Sequence, residues 1–267
     1  MAGVIIERVN TIEQANVCRE LVKQVWGPDD TCSAAQMWLH SVYGGILLLA
    51  YMDQQPIGFL YSFPALYRGE WVLWSHETAV LPDYLHFGIG YQMKIEQKRM
   101  ASELGYHTIA WTFDPLVSRN AHFNLNKLGA SIVEYKVNVY GITENDPLNQ
   151  DLPTDRLVAI WSVQEMAQAP LFKLDMAFDI PVLITLSKNG EPEIQESFYR
   201  EFPDSVATRI PYRIDKMLLE QPEVSLRWRL AFRGISQLLF EKGYEIKQFI
   251  PTASYSTYIW SRNGGSW

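Results

Sequence analysis

Several classes of site are excluded by what this chain lacks. Only Cys18 and Cys32 are cysteine among its 267 residues. They have no metal-type spacing and no secretory-type segment ahead of them, so they read as free thiols in a reducing compartment. No long run of Lys and Arg occurs, and the formal net charge is -7. Nucleic acid is therefore not an expected partner, because a phosphate backbone is held by clustered cations. The longest apolar run, Gly45 to Tyr51, falls well short of the roughly 20 residues that span a bilayer. With no Arg-rich or apolar leader pattern at the N-terminus, the expectation is a cytoplasmic protein without a membrane partner. No His, Asp, Glu and Cys group has metal-ligand spacing, so no metal is expected, and no Ser or Cys nucleophile motif stands out. Internal repeats and low-complexity segments are missing too.

What is present suits a folded chain with a substantial core. Hydrophobic residues make up 48% and charged residues 20%, which separates the chain from disordered sequences. Val4 to Val9 reads as a strand. Thr11-Ile-Glu-Gln14 is a capping-box pattern that opens a helix carrying Ile12, Ala15, Cys18, Val22 and Val25 at helical spacing. A short helix starts at Ser33, and Gly44-Gly45 breaks the chain. Ile46 to Met52 and Ile57 to Phe63 form an expected hairpin around Asp53 to Pro56.

The apolar run Trp71 to Leu81 predicts a strand stopped by Pro82-Asp83. Gly88 and Gly90 then open a helix with Ile89, Met93, Met100 and Leu104 near one face. A glycine turn at a helix N-terminus lets backbone N–H groups approach a phosphate or pyrophosphate. His107 to Phe113 predicts a strand buried on both faces, hence parallel to its neighbour. Ser118 to Leu128 predicts a helix stopped by Gly129. Ile132 to Val139 and Arg156 to Val163 alternate as half-buried strands, joined by a polar loop, Gly141 to Thr154.

The pattern Val-Leu-Pro-Asp-Tyr-Leu-His-Phe-Gly-Ile-Gly at Val80–Gly90, on a fourth strand, resembles the pyrophosphate motif of the GNAT acyltransferases. Ser118 to Gly129 resembles that family's second motif helix, with Asn120, Ala121, Lys127 and Gly129 in place. The similarity covers about residues 3–164. Two positions depart from the pattern: Leu85 stands where the family has Arg or Gln, and Leu125 stands where it often has the Tyr that reprotonates the CoA thiolate. The resemblance implies an α/β fold (a mixed α+β sheet) over residues 1–165. It implies acyl-CoA, acetyl-CoA or another, as co-substrate and an amine as acceptor. Trp111 to Leu116, Ser118 to Ala121 and Asp155-Arg156 look like a GNAT subgroup some of whose members are associated with N-acylamino-acid metabolism, including succinyl transfer.

Residues 166–267 resemble no family motif and read as an α+β extension, which could be a degenerate second copy of the acyltransferase half. Gln168 to Pro181 is a connector. Val182 to Phe198 forms a hairpin around Asn189-Gly190, which favours a type I′ turn. Val206 to Ile214 reads as a strand. Pro222 opens a long helix to Lys242 with Val224, Trp228, Ala231, Ile235 and Leu238 in one stripe, and two strands close the chain.

Acyl transfer to an amine needs a proton acceptor and oxyanion donors. His76 and Glu77 precede the strand end and, in a regular strand, point to opposite faces. Glu77, sharing a face with Ser75 and Ala79, is the candidate base, against a plain salt-bridged residue; His76 is the second candidate, against a hydrogen-bonded core histidine. The resemblance places oxyanion and CoA contacts on the backbone at Ala79, Val80 and Leu81 and pyrophosphate contacts at Phe87, Gly88, Ile89, Gly90 and Tyr91; Asn120 either lies near CoA or has a structural role. Asp114 either binds the acceptor ammonium or caps the turn before Pro115. Arg156 either meets an anionic group on acceptor or donor or forms an internal ion pair. Arg227, Arg229 and Arg233 either frame an anionic substrate or line a solvated helix face. The expected function is N-acyl transfer from CoA to a small-molecule primary amine, such as an amino acid. The rival readings are succinyl transfer and a CoA-binding regulatory module without catalysis. The sequence leaves the oligomeric state unknown.

Overall fold

The computed structural model describes residues 3–27, 32–141, 152–164, 180–195 and 203–262. Its packing forms two units. One contains residues 3–27, 32–111 and 160–164, and the other contains 112–141, 152–159, 180–195 and 203–262. These units interleave along the chain, whereas the division expected from sequence at 165/166 is a single cut.

The first unit begins with β1 (Ile5–Arg8), α1 (Ile12–Trp26) and α2 (Ala34–Val42). Both helices start where the sequence placed their caps. The Thr11 side chain accepts from the Gln14 amide, and the Gln14 side chain accepts in turn from the Asn10 amide at 2.8 Å. Ser33 caps α2 through the Gln36 amide. The hairpin β2 (Ile46–Met52) and β3 (Gln55–Tyr67) turns at Asp53-Gln54, both left-handed, so the turn is of type I′ and Pro56 lies within β3. β4 (Glu70–Val80) pairs antiparallel with β3, and β5 (Thr108–Phe113) pairs parallel with β4 at Leu73↔Ile109 and Trp74↔Ala110. Between β4 and β5 come a 3-10 turn, Pro82–Phe87, and α3 (Ile89–Glu103).

Then follow α4 (Ser118–Ala121), continued as a π-wound turn over His122–Lys127, β6 (Ser131–Lys136) and β7 (Arg156–Ser162). In the first unit the strands lie in the order β1-β2-β3-β4-β5. The chain thus follows the expected mixed α/β order up to β7. Two burial expectations fail. β7 buries Leu157, Val158, Ala159 and Trp161 instead of alternating, and in β6 it is Ile132 and Tyr135 that are buried.

One core of the first unit lies between α1, α2 and one face of the sheet. Ala15, Cys18, Leu21, Val22 and Met37 pack there against Leu47, Leu49, Phe59, Tyr61 and Ala79. The alternate strand residues face the opposite side, where α3 buries Ile89, Met93, Met100 and Ala101. Leu104, expected in this stripe, is exposed.

In the second unit, β8 (Val182–Leu186), β9 (Pro192–Ile194), β10 (Ser205–Pro211), α5 (Ile214–Glu220), α6 (Pro222–Glu241), β11 (Tyr244–Pro251) and β12 (Tyr255–Arg262) build a sheet of order β11-β12-β10-β8-β9. The connector expected at Gln168 to Pro181 lies outside the described residues up to 179. The expected second hairpin strand is described only to Gln195. The hairpin turn differs from the expected type I′: only Gly190 is left-handed and the Gly190 amide donates to the Ser187 carbonyl, so this is a three-residue loop with Gly in the bulge position. α5 was not foreseen. The buried face of α6 is Val224, Trp228, Phe232, Ile235 and Leu239, with Ser225, Arg229 and Ser236 beside it.

Arg229 corrects the reading of the arginines on α6. It is only 2% exposed and pairs through both terminal nitrogens with the Asp114 carboxylate. Arg233 grips Asp155 with two bonds of 2.8 Å, and Tyr135 donates to the same carboxylate at 2.7 Å. Of the three, Arg227 alone is on the solvated face, paired with Glu191.

Removing one partner of a buried pair strands the other charge. Arg229→Met should therefore lower the unfolding free energy by about 3–5 kcal/mol, and adding Asp114→Leu should restore much of it, as read from urea midpoints. A steric test applies to the first unit. A Cβ on Gly45 would lie 2.4 Å from the Ser62 carbonyl oxygen and 2.6 Å from that of His40. Both are backbone atoms, so Gly45→Ala should cost about 1–3 kcal/mol by overpacking.

Candidate active site

β4 does not run as a regular strand. Its register against β3 passes from Tyr61↔Glu77 to Ser62↔Ser75, so His76 is the extra residue of a β-bulge. A bulge re-aims the side chains around it. Partners directly opposite share a face, and Tyr61 and Ser62 lie on opposite faces. Glu77 therefore lies with Tyr61 and Ala79 on the α1/α2 side, while Ser75 lies on the α3 side. The expectation that Glu77 shares a face with Ser75 is corrected by this one extra residue. So is the expectation that His76 and Glu77 diverge: His76 Nε2 lies 3.5 Å from Glu77 Oε1.

The bulge gathers a compact cluster. The Cys32 thiol lies 3.8 Å from Glu77 Oε1. The His76 ring meets Tyr61 and Phe63 edge-on, at centroid distances of 5.8 and 5.7 Å. His40 stacks on Tyr61 and shares a short hydrogen bond with its hydroxyl. Burial, and then the nearby Cys32 and Glu77 charges, push the Tyr61 phenol up; burial draws the His40 imidazole down. Both shifts favour the neutral forms of these two groups. Sequence reasoning passed over Cys32, His40 and Tyr61. Cys32 is 45 residues from Glu77, and nothing local announces that they meet.

On the other face, Lys94 of α3 is buried. It donates to Ser75 Oγ at 2.9 Å and Gln97 Oε1 at 3.0 Å, and its ammonium lies 4.0 Å from the centre of the Trp111 ring. Desolvation lowers its pKa to about 7. A signal was available: the spacing that buries Met93 and Gln97 puts Lys94 on the same helix face.

The β4 end and the glycine turn follow on directly. The Leu81 amide donates to the Ile57 carbonyl at 2.8 Å, and the Leu81 carbonyl accepts from the Tyr84 amide at 2.9 Å. Leu81 is thus engaged on both sides, and its expected role as a CoA donor is corrected. In an antiparallel ladder the amides alternate between edges. With the Leu81 amide toward β3, the Val80 amide points to the other edge, and the Ala79 amide, two residues before Leu81 and opposite Phe59, faces β3 again. Gly88 caps α3 in the left-handed region, with φ of 69°, and no side chain caps the helix. The first amide bonded within the turn is that of Gln92, to the Gly88 carbonyl. The preceding amides, Ile89, Gly90 and Tyr91, belong to the helix-start positions that lack an intrahelical acceptor. A Cβ on Gly88 or on Gly90 would meet no atom within 4 Å, so the backbone there is open to close approach. Phe87 and Tyr91 flank it, both exposed, as is Leu85. These residues fit the pyrophosphate of a CoA ester, held by amides and the helix dipole.

Asp114, Arg156 and Asn120 lie in the second unit. Asp114 and Arg156 come together, but around each other rather than around an opening. Burial alone would raise the Asp114 carboxyl. The Arg229 charge and hydrogen bonds, the Arg156 charge and the Leu116 amide outweigh it and hold the group below the usual range. The amide contact, 2.8 Å, is the turn cap weighed for this position. Both carboxylate oxygens serve internal partners, which corrects the expectation of an ammonium site. Arg156 lies 3.7 Å from Asp114, donates to the Asp155 carbonyl and lies against Tyr140. Asn120 is half-buried on α4. Leu125 is buried.

No protein-family model matches the chain, and no curated protein sequence matches it. Solved structures similar to it include Arabidopsis thaliana Naa50 in complex with the bisubstrate analogue CoA-Ac-MVNAL, at 17% identity over 60% of this chain and 99% of that one, with a TM-score of 0.47. The ribosomal-protein-S18-alanine N-acetyltransferase from Escherichia coli is similar at 14% identity over 64% and 100%, TM-score 0.48. A GNAT-family acetyltransferase from Streptococcus pneumoniae is similar at 13% identity over 60% and 99%, TM-score 0.48.

Lys94 supplies a pH prediction. Its folded pKa of about 7 lies below the unfolded 10.5. Between those values the unfolded chain holds a proton that the folded chain has shed, so unfolding takes one up and stability rises with pH across that window. Lys94→Met should flatten the rise in urea midpoint from pH 7 to pH 10 by one proton's worth of slope.

Proposed function

We propose that this chain is an acyl-CoA-dependent N-acyltransferase that moves an acetyl or other short acyl group to the primary amine of a small molecule. The observation that carries the reading is that one strand delivers both halves of the chemistry. Through its bulge β4 turns Glu77 into the cluster on the α1/α2 face, and a few residues later it feeds the open, uncapped glycine turn of α3.

The bound acyl-CoA supplies an activated acyl group as a thioester. Gly88, Ile89, Gly90 and Tyr91 hold its pyrophosphate through backbone amides. The amine must be neutral to attack, and Glu77, with His76 beside it, takes the proton. The Val80 amide, turned away from β3, stabilises the tetrahedral oxyanion. The C–N bond forms first, the tetrahedral oxyanion then collapses with loss of the C–S bond, and the departing thiolate is protonated from water. Leu125 leaves no phenol at the position the resemblance assigns to that step. Succinyl transfer loses the support of the α6 arginines, which the ion pairs of Arg227, Arg229 and Arg233 already engage.

The test is thiol release from acetyl-CoA and from succinyl-CoA against L- and D-amino acids and polyamines. Acceptor-dependent release is expected. Glu77→Gln should lower kcat by about 10²–10⁴-fold, the usual worth of a positioned base, while calorimetry still shows CoA binding. Gly90→Val should weaken CoA binding. Binding without release for every acceptor would favour a regulatory CoA module, and failure to bind CoA would sink the glycine-turn assignment.

A further inference from the structure

We infer that Cys32, His76 and Glu77 form a three-donor site for one divalent transition metal ion of the zinc class. One donor atom from each of the three residues lies within 4.8 Å of the other two. The two separations to Glu77 Oε1 are 3.8 Å from sulfur and 3.5 Å from nitrogen. Tetrahedral zinc, with bonds of about 2.3 Å to sulfur and about 2.1 Å to nitrogen and oxygen, places sulfur and oxygen about 3.6 Å apart and nitrogen and oxygen about 3.4 Å apart. The donors already stand near the spacing that a shared ion imposes.

The donor types narrow the ion. A thiolate, an imidazole and one carboxylate suit zinc and its neighbours, whereas magnesium and calcium take oxygen ligands. Three protein ligands leave a fourth position open, the pattern of reactive rather than purely structural zinc. The surroundings prepare the site. The His76 ring is wedged edge-on against Tyr61 and Phe63, which fixes its direction, and the cluster is only partly exposed. The chain reaches this arrangement only because the bulge brings adjacent strand residues together. No ligand spacing in the sequence announces it, and it replaces the expectation of a chain without a metal site.

A consequence rests on the transferase reading above. A metal ion holding Glu77 occupies the proton acceptor and the place of the amine, so zinc inhibits transfer reversibly.

The experiment uses the full chain, treated with chelator and dialysed. Calorimetry with zinc chloride should show one equivalent bound, and magnesium chloride should show none. Cobalt(II) should give the near-ultraviolet charge-transfer band of a thiolate ligand, a readout on the native sequence that no folding defect can mimic. Cys32→Ser and His76→Gln should each weaken zinc binding at least roughly 100-fold, beyond the 10–100-fold typical of outer-shell partners; circular dichroism checks that they fold. Thiol release should fall on adding zinc and return with EDTA. No zinc binding, no cobalt–thiolate band, or zinc affinity unchanged in both variants would overturn the site. One equivalent bound with the cobalt band, in a chain that releases no thiol with any acceptor, supports the metal site and sinks the transferase reading.

Discussion

One extra residue in β4 governs the chemistry of the first unit. Without the bulge at His76, Ser75 and Glu77 would point the same way and His76 would point opposite to both. With it, the strand divides its polar groups between two faces: Ser75 goes to Lys94 and α3, and Glu77 goes to Cys32, Tyr61 and the α1/α2 core. A carboxylate in a regular central strand beneath two apolar helices would be left without polar company, at a cost of several kcal/mol. The bulge places it instead beside a thiol and an imidazole. Gly58 belongs to the same constraint, since a Cβ there would lie 2.7 Å from the Ala79 carbonyl oxygen. β3 and β4 can approach closely just past the bulge only because that position has no side chain.

The two units meet the demands of buried charge differently. The second satisfies its ions internally: Asp114 and Asp155 each meet an arginine fork, and Tyr135 adds a donor. Such pairs are weak as net stabilisers and severe when broken, so they specify an arrangement rather than supply affinity for a ligand. In the first unit the polar groups meet neutral partners as well: Lys94 has a serine, an amide and an aromatic face as neighbours, and Glu77 has a thiol and an imidazole beside it.

The parts of the fold governed by local rules were legible. The Thr11 and Ser33 caps, the Gly88 and Gly129 breaks, the doubly buried β5 and the Pro222 helix start each follow from a few adjacent residues. What escaped was non-local. Strand alternation is a rule of regular strands, and a bulge is set by the partner strand, so nothing around Ser75-His76-Glu77 reveals which face each takes. The α6 arginines looked like a solvated face because a helix wheel cannot show that Asp114, far earlier in the chain, waits for Arg229. The buried stripe of α6 ran through Phe232 and Leu239 rather than the neighbouring Ala231 and Leu238, an offset of one residue fixed by tertiary packing. Asn189-Gly190 favoured a two-residue turn by propensity, and the strand register made the loop three residues long.

Under the proposed function, an acidic chain has to hold a polyanion at the glycine turn. A net charge of -7 gives no long-range attraction for a pyrophosphate, and Leu85 removes the cationic or amide side chain of the resembling motif. Attraction must then be short-ranged. Uncapped amides at the start of a fifteen-residue helix act only within contact distance, and each favourable charge–dipole contact is worth about 0.3–1 kcal/mol when exposed. Several amides converging on one group must therefore be reached closely, which a side chain at Gly88 or Gly90 would prevent. The left-handed Gly88 and the open space beside Gly90 are thus a single requirement: geometry substitutes for charge, and the cradle follows directly from the strand that carries Glu77.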